Sequence, residues 1–274
     1  MRRFLLLIVV ALAGAATLFL WGWSNARADP IVRRAFVNMP HWPRGTPPMR
    51  VVMVSDVHMG NATMDAARLG RIVERINTLR PDLVLLAGDF IAGHDPGSAA
   101  VHAPGLAAPL SGLRPRFGVA AVLGNHDHWT GAAAVRAALR RSGIVVLANQ
   151  ARRFGPLTVA GVDDHYTRHD DLPTTMAQAR HLGGPRLVLS HGPDIVPKLP
   201  ADAPVALVGH THCGQIALPL IGAPVVPSNY GQRYLCGIVR EPGRATIVTA
   251  GLGTSMLPFR WGAPPDLWLL ELGR

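Results

Sequence analysis

Val51-Val52-Met53-Val54-Ser55-Asp56-Val57-His58 is the stretch on which the fold turns. Four apolar residues fit a short buried strand, and the chain then runs directly into an aspartate and a histidine. The same grammar recurs along the chain. Leu83 to Leu86 leads into Gly88-Asp89, and Val119 to Val122 leads into Gly124-Asn125-His126-Asp127. Arg186 to Leu189 leads into Ser190-His191, and Val205 to Val208 leads into Gly209-His210-Thr211-His212. Strand carboxyl ends line the crevice where α/β folds bind ligands, so these five clusters are expected to meet in one pocket.

The segments between them read as helices and further strands. Leu69, Ile72, Val73, Ile76 and Leu79 share one helical face, and Pro81 stops that helix. A second helix is expected from about Ala132 to Arg141, ending before Gly143. More strands are predicted at Ile144 to Leu147, Leu157 to Val162, Tyr234 to Val239, Thr246 to Thr249 and Leu267 to Leu272. Gly93 to Pro115, rich in glycine and proline, reads as a partly helical insertion bordering the site. The alternation predicts an α/β fold of two packed, mixed β-sheets flanked by helices. Apolar residues at 49% against 16% charged fit a packed domain and exclude a disordered chain.

The first 28 residues are read as a transmembrane anchor or signal segment. Phe4 to Trp23 is an uncharged apolar run whose 20 residues would extend roughly 30 Å as a helix, the thickness of a bilayer core. Arg2 and Arg3 precede it and Trp21 and Trp23 close it, which places the N-terminus in the cytoplasm and the rest of the chain outside, as a single-pass protein of the inner membrane. Ala26-Arg27-Ala28 has the form of a signal cleavage site, which would release a periplasmic or secreted protein. A retained anchor is preferred, because the run exceeds the usual signal core. Residues 29–48, with Pro30, Pro40, Pro43, Pro47 and Pro48, read as an extended linker, and 49–274 as the folded domain.

The donor set is oxygen from Asp and Asn with nitrogen from His, which suits manganese, iron or zinc and differs from the all-oxygen shell of calcium. Spacings of two in Asp56/His58 and His210/His212 put each pair on one side of an extended segment. Gly88, Gly124 and Gly209 precede ligands where the backbone is expected to turn sharply. Taken singly each residue is more often a turn or capping group, and it is the ordered set that overturns that reading.

In that order, D-x-H, G-D, G-N-H-D, S-H and G-H-T-H, the chain resembles the calcineurin-like metallophosphoesterases from Met49 to its C-terminus. Gly214-Gln215, Pro227-Ser228-Asn229-Tyr230-Gly231 and Gly251 to Ser255 are similar to motifs of the bacterial membrane-associated phosphodiesterase branch. The resemblance implies a four-layer sandwich, with Asp56, His58 and His212 on one metal, Asn125, His191 and His210 on the other, and Asp89 bridging both. It departs at Cys213 and Gly192, where glycine and asparagine are frequent. It implies two divalent cations, manganese first with iron or zinc as alternatives, and hydrolysis of a phosphate ester by a hydroxide shared between them. His126 is expected to bind a phosphate oxygen or protonate the leaving group, with Asp127 orienting it.

The formal charge of +10, almost wholly from arginine, suits an anionic partner. The expected substrate is a phosphorylated small molecule or a lipid-linked phosphodiester or pyrophosphate, with the membrane engaged through the anchor. A nuclease ranks lower, since no aromatic-and-basic module is visible, and so do a broad-specificity phosphatase with the same centre and a metal-stabilised scaffold; no protein partner is inferred. Cys213 and Cys236 are expected as separate small buried thiols. His41, His94, His102, His128, His165, His169 and His181 are expected on the surface or in packing; His128 and Trp129, directly after the G-N-H-D loop, are read either as substrate contacts or as hydrogen-bonding support behind it. Asp163-Asp164 is read as a turn, and Arg260 as a phosphate contact or a solvated side chain.

Overall fold

The computed structural model describes residues 2–274. Its first element, helix α1, covers Arg2–Arg27 and is long and apolar enough to cross a membrane, with its apolar window unburied. Strand β1 (Ile31–Asn38) follows, then β2 (Met49–Val54), α2 (Ala66–Thr78) and β3 (Leu83–Ala87). Short helices α3 (Ser98–His102) and α4 (Pro104–Leu110) form the insertion, ahead of β4 (Val119–Val122), α5 (Asn125–Arg141) and β5 (Val145–Val146). The second half comprises β6 (Gln150–Phe154), β7 (Leu157–Gly161), α6 (Leu172–Leu182), β8 (Arg186–Leu189) and β9 (Val205–Val208). β10 (Gly237–Glu241), β11 (Arg244–Val248) and β12 (Asp266–Gly273) complete it.

Two six-stranded sheets result, in the orders β1-β12-β2-β3-β4-β5 and β10-β11-β9-β8-β7-β6. Both are mixed: β2, β3, β4 and β5 are parallel with β12 antiparallel to β2, and β7, β8, β9 and β11 are parallel with antiparallel strands at the edges. Side chains alternate across each strand, and the period-two pattern sorts them into layers. Val51, Met53, Leu83 and Leu85 pack between the sheets against Leu187, Leu189, Val205 and Leu207. Their neighbours Val52, Val54, Val84 and Leu86 face outward onto α2, α4 and α5. On the far side Val188, Ala206 and Val208 pack under Met176 and Ala179 of α6. The architecture is therefore helix, sheet, sheet, helix.

The segment read as a linker is not a free connection. Ile31–Asn38 pairs in parallel with β12 along its whole length, from Ile31↔Asp266 to Asn38↔Gly273, and Met39 and Trp42 are buried in the core between the sheets. As an edge strand with Arg33 and Arg34 in its middle and only Val37 buried, β1 lacks the apolar pattern by which strands are read. Cys213 and Cys236, expected as separate thiols, form a disulfide with Cα atoms 4.8 Å apart. Nothing in the local sequence shows that the turn after His212 lies beside the start of β10.

Candidate metal centre

The three ligand-bearing strands of the first sheet, β2, β3 and β4, are adjacent and parallel, as are β8 and β9 of the second. Their carboxyl ends deliver all seven predicted ligands to one place. Asp56, His58 and His212 form one group of donor atoms lying within 4.8 Å of one another, and Asp89, His191 and His210 form another. Asn125 joins the second through its Oδ1, 3.1 Å from His191 Nε2, and His210 Nδ1 lies 3.1 Å from the same nitrogen. Asp89 Oδ2 stands between the groups, 3.2 Å from His191 Nε2 and 3.6 Å from His58 Nε2.

Each donor is aimed by a partner on its other side. Asp89 Oδ1 accepts the His126 amide at 2.9 Å, leaving Oδ2 for the site. Asp56 Oδ2 accepts from the Ser55 hydroxyl at 2.5 Å and the His210 amide at 3.2 Å, so Oδ1 faces His212 Nε2 at 3.4 Å. His191 Nδ1 donates to Ala87 O at 2.7 Å, which leaves Nε2 as the nitrogen facing the cluster. Asp56 Oδ1 is buried with no hydrogen-bond partner, a costly state for a carboxylate oxygen without a cation. That orphan, with two donor groups linked by a third of His58, Asp89 and His126, fits a pair of divalent metals.

Backbone strain is concentrated on the same residues. Asp56 (φ 55°), His58 (52°), Asp89 (56°), His210 (70°) and His212 (51°) all adopt the left-handed region. Each costs roughly 1–3 kcal/mol for a side-chain-bearing residue, and such outliers gather where function holds them. Gly88 has the expected positive φ of 86°, but Gly124 and Gly209 are needed for a different reason. A Cβ at Gly124 would collide with Asp89 Oδ1, and one at Gly209 with Ser55 and Asp56.

Burial sets much of the electrostatics. It pushes His58 and His210 down to about 3, so both rings are neutral as metal ligands must be. Burial, reinforced by the neighbouring Asp89 charge and only partly offset by His191, raises Asp56 to about 6. Burial also works against ionising Asp89, yet His191 and His126 beside it hold its carboxyl well below the usual range.

His126 sits at the first turn of α5, its Nδ1 2.7 Å from Gly93 O and its Nε2 4.0 Å from Asp89 Oδ2. The expectation that Asp127 orients this ring is not met. Asp127 Oδ1 accepts the amides of Phe90 (2.8 Å) and Ile91 (3.1 Å), and Oδ2 accepts the Gly124 amide at 3.0 Å. Asp127 is thus a clamp on the loops that carry Asp89 and Asn125, and Gly93 of the insertion orients His126.

Arg260 is neither a phosphate contact nor solvated. It is fully buried, and its guanidinium donates to the carbonyls of Ala250 (2.7 Å), Ala263 (2.9 Å) and Gly253 (3.1 Å) and lies 3.1 Å from His212 Nδ1. Asp163 and Asp164 stay outside the centre: Asp163 pairs with His128 and Arg136, both at 2.9 Å, and Asp164 closes a turn onto Thr167. His94, expected on the surface or in packing, packs tilted against His126 and edge-on against Trp129, with ring centroids 4.9 and 4.8 Å apart. Tyr166 reaches His210 at 5.3 Å. Neither stands in a motif, and only their place in loops after strands hinted at the site.

The donors lie at the floor of a cavity of ≈ 470 Å³, with Asp89, Asn125, His126, His210 and His212 below and Ile216, Val225, Met256 and Leu257 on the outer wall. The sequence profile of the calcineurin-like phosphoesterases matches residues 49–214, which includes every one of these ligands. The chain belongs to the calcineurin-like phosphoesterase family. Among its phosphoesterase relatives, a zebrafish (Danio rerio) "Transmembrane protein with metallophosphoesterase domain" is 30% identical over 92% of this chain. This chain spans 59% of that relative's length. The metallophosphoesterase YkuE of Bacillus subtilis is 30% identical over 84% of this chain and 81% of its own. Phosphodiesterase YaeI of Escherichia coli is 31% identical over 82% of each.

Proposed function

We propose that this phosphoesterase is a membrane-anchored dinuclear hydrolase that cleaves a phosphodiester or pyrophosphate of a lipid-linked or envelope-associated substrate. One observation carries the reading: Asp89 Oδ2 lies 3.6 Å from His58 Nε2 and 3.2 Å from His191 Nε2, placed to bridge the buried donors Asp56/His58/His212 and Asn125/His191/His210 on the floor of an open cavity. The oxygen and imidazole donors suit manganese first, and iron or zinc next. A bound pair would supply Lewis acidity toward the phosphoryl oxygens and a hydroxide nucleophile at neutral pH.

The remaining work falls to the chain's own groups. Gly93 O fixes the His126 Nδ1 proton, so the proton His126 can give away is the one on Nε2, which faces the cavity. His126 in its imidazolium form donates from Nε2 to the leaving oxygen, while Trp129 and His94 restrict the ring's motion. Asp127 and Arg260 position ligand loops without touching substrate.

Placement outside the cytoplasm is favoured by Arg2 and Arg3 ahead of α1 and by the Cys213–Cys236 disulfide, which persists in oxidising compartments. Retention of α1 is favoured by its contacts with the domain, among them Arg260 N to Gly22 O at 3.0 Å. The test is metal analysis of the purified full chain, followed by turnover of a phosphomonoester, a phosphodiester and a pyrophosphate with manganese added. His126→Ala is expected to keep its metal and lose about 10²–10⁴ in turnover. Metal-loaded protein inactive on all three would remove the proposal.

A further inference from the structure

The apolar wall of the cavity continues onto the surface, and that surface adjoins α1. Trp261 Nε1 donates to Leu18 O at 3.0 Å, and Phe259 packs edge-on against Phe19 with centroids 5.8 Å apart. Leu18 lies five residues before Trp23, the last aromatic of the apolar run, which is about 7 Å further along the helix axis. If α1 spans with Trp21 and Trp23 at the interface, Phe259 and Trp261 lie at or below the level of those aromatics. In that placement the domain's own loop would reach the acyl boundary where it meets the anchor.

Two neighbouring loops are fastened to that one. Ala217 N donates to Trp261 O at 2.7 Å and Trp261 N to Gln215 O at 3.0 Å, zipping residues 215–217 onto it. The Gln215 side chain accepts the Ser255 amide at 2.8 Å and donates to Ser255 O and Leu257 O at 3.0 Å. These loops present large apolar side chains to the outside: Leu220 is 108% exposed, Met256 88%, Val225 73% and Ile221 71%. Leu220 (φ 66°) and Met256 (φ 54°) hold a left-handed backbone while doing so. Strain retained in order to expose an aliphatic side chain marks a contact surface.

We propose that residues 216–225 and 255–261 form a second membrane contact, a rim that dips into the acyl boundary beside α1 and seats the cavity mouth at the headgroup layer. A phosphoester then reaches the floor laterally from the leaflet, with its acyl chains against Val225, Met256 and Leu257. That substrate half rests on the hydrolase reading above, whereas the membrane contact does not.

The experiment uses the full chain in vesicles of phosphatidylethanolamine and phosphatidylglycerol that contain a spin-labelled quencher lipid. An environment-sensitive fluorophore is attached in turn to Leu220→Cys, Met256→Cys and Ala201→Cys, the last in the exposed turn ahead of β9, at the end of the sheet opposite the ligands. Labels at 220 and 256 are expected to be blue-shifted and quenched by the lipid, and the label at 201 to be neither. Equal quenching at all three, no quenching at 220 and 256, or a blue shift there without lipid quenching, as contact with a second protein copy would give, each overturns the proposal. Leu220→Glu/Ile221→Glu should abolish lipid quenching of the label at Met256→Cys, and the same double substitution without any label should hydrolyse a soluble bis-aryl phosphodiester at an unchanged rate. If the unaltered chain fails to hydrolyse that diester, the hydrolase reading falls while the quenching result still decides the membrane contact.

Discussion

The Nε2 atoms of His58 and His212 lie 3.1 Å apart, with both rings buried. Two lone pairs repel at that distance and two N–H groups clash, so the pair needs one shared proton or a cation. Asp56 Oδ1, unpartnered and 3.4 Å from His212 Nε2, makes the cation the species that satisfies all three. Chelation is therefore expected to lower the melting temperature and manganese to restore it. Saturation at one hundred times Kd corresponds to about 2.7 kcal/mol. A thermal scan that does not move across a metal titration would show that no ion holds this pair.

Asp127 satisfies three buried amides with two oxygens, and each belongs to a loop bearing a ligand. Asp127→Asn keeps one acceptor and turns an NH₂ group toward another N–H, leaving a buried donor unsatisfied at about 1–3 kcal/mol. Stability and metal content should fall together. A variant with full metal content and an unchanged melting temperature but reduced turnover would instead assign Asp127 to proton transfer through His126.

Arg260 offers its donors to a ring of buried carbonyls. Burial lowers its pKa to about 10, so it stays charged at neutral pH. Arg260→Met fits the volume but orphans Ala250 O, Ala263 O and Gly253 O, each costing about 1–3 kcal/mol. The variant should unfold several degrees lower by calorimetry and bind metal less tightly. Retention of both properties would mean that Arg260 contributes only packing.

The candidate ligands are legible in the sequence because each follows a short, mostly apolar strand, and strand ends are what a parallel sheet brings together. Legibility failed where the signal is tertiary. β1 and β6 (Gln150–Phe154) are arginine-bearing edge strands, stabilised by a neighbour's hydrogen bonds and not by a buried face. α6 is absent from the sequence expectations although Asp171 caps it, accepting from Thr174 N, and Pro173 stands in its first turn. The roles of Asp127 and Arg260 depend on which backbone groups fold against them. A side chain's type does not report whether it will meet substrate or the amides of a distant loop.

The Cys213–Cys236 bridge joins the residue after a ligand to the strand region 23 residues on. Cys213 itself has a φ of 53°, continuing the left-handed turn that begins at His212, and Thr211 Oγ1 donates to Leu235 O at 2.8 Å beside it. The bridge therefore restrains the unfolded chain and also holds the His212 turn in its strained form. Closing a loop of this length is worth about 3 kcal/mol on the chain-entropy account. The double variant Cys213→Ser/Cys236→Ser, which leaves no lone thiol, should lose stability of that order. It should also release metal at a lower chelator concentration, because His212 is then free to relax away from His58 and Asp56. Denaturant unfolding gives the first quantity and a chelator titration followed by metal analysis gives the second. A loss of stability with an unshifted chelator midpoint would confine the disulfide to the scaffold, with no hold on the ligand.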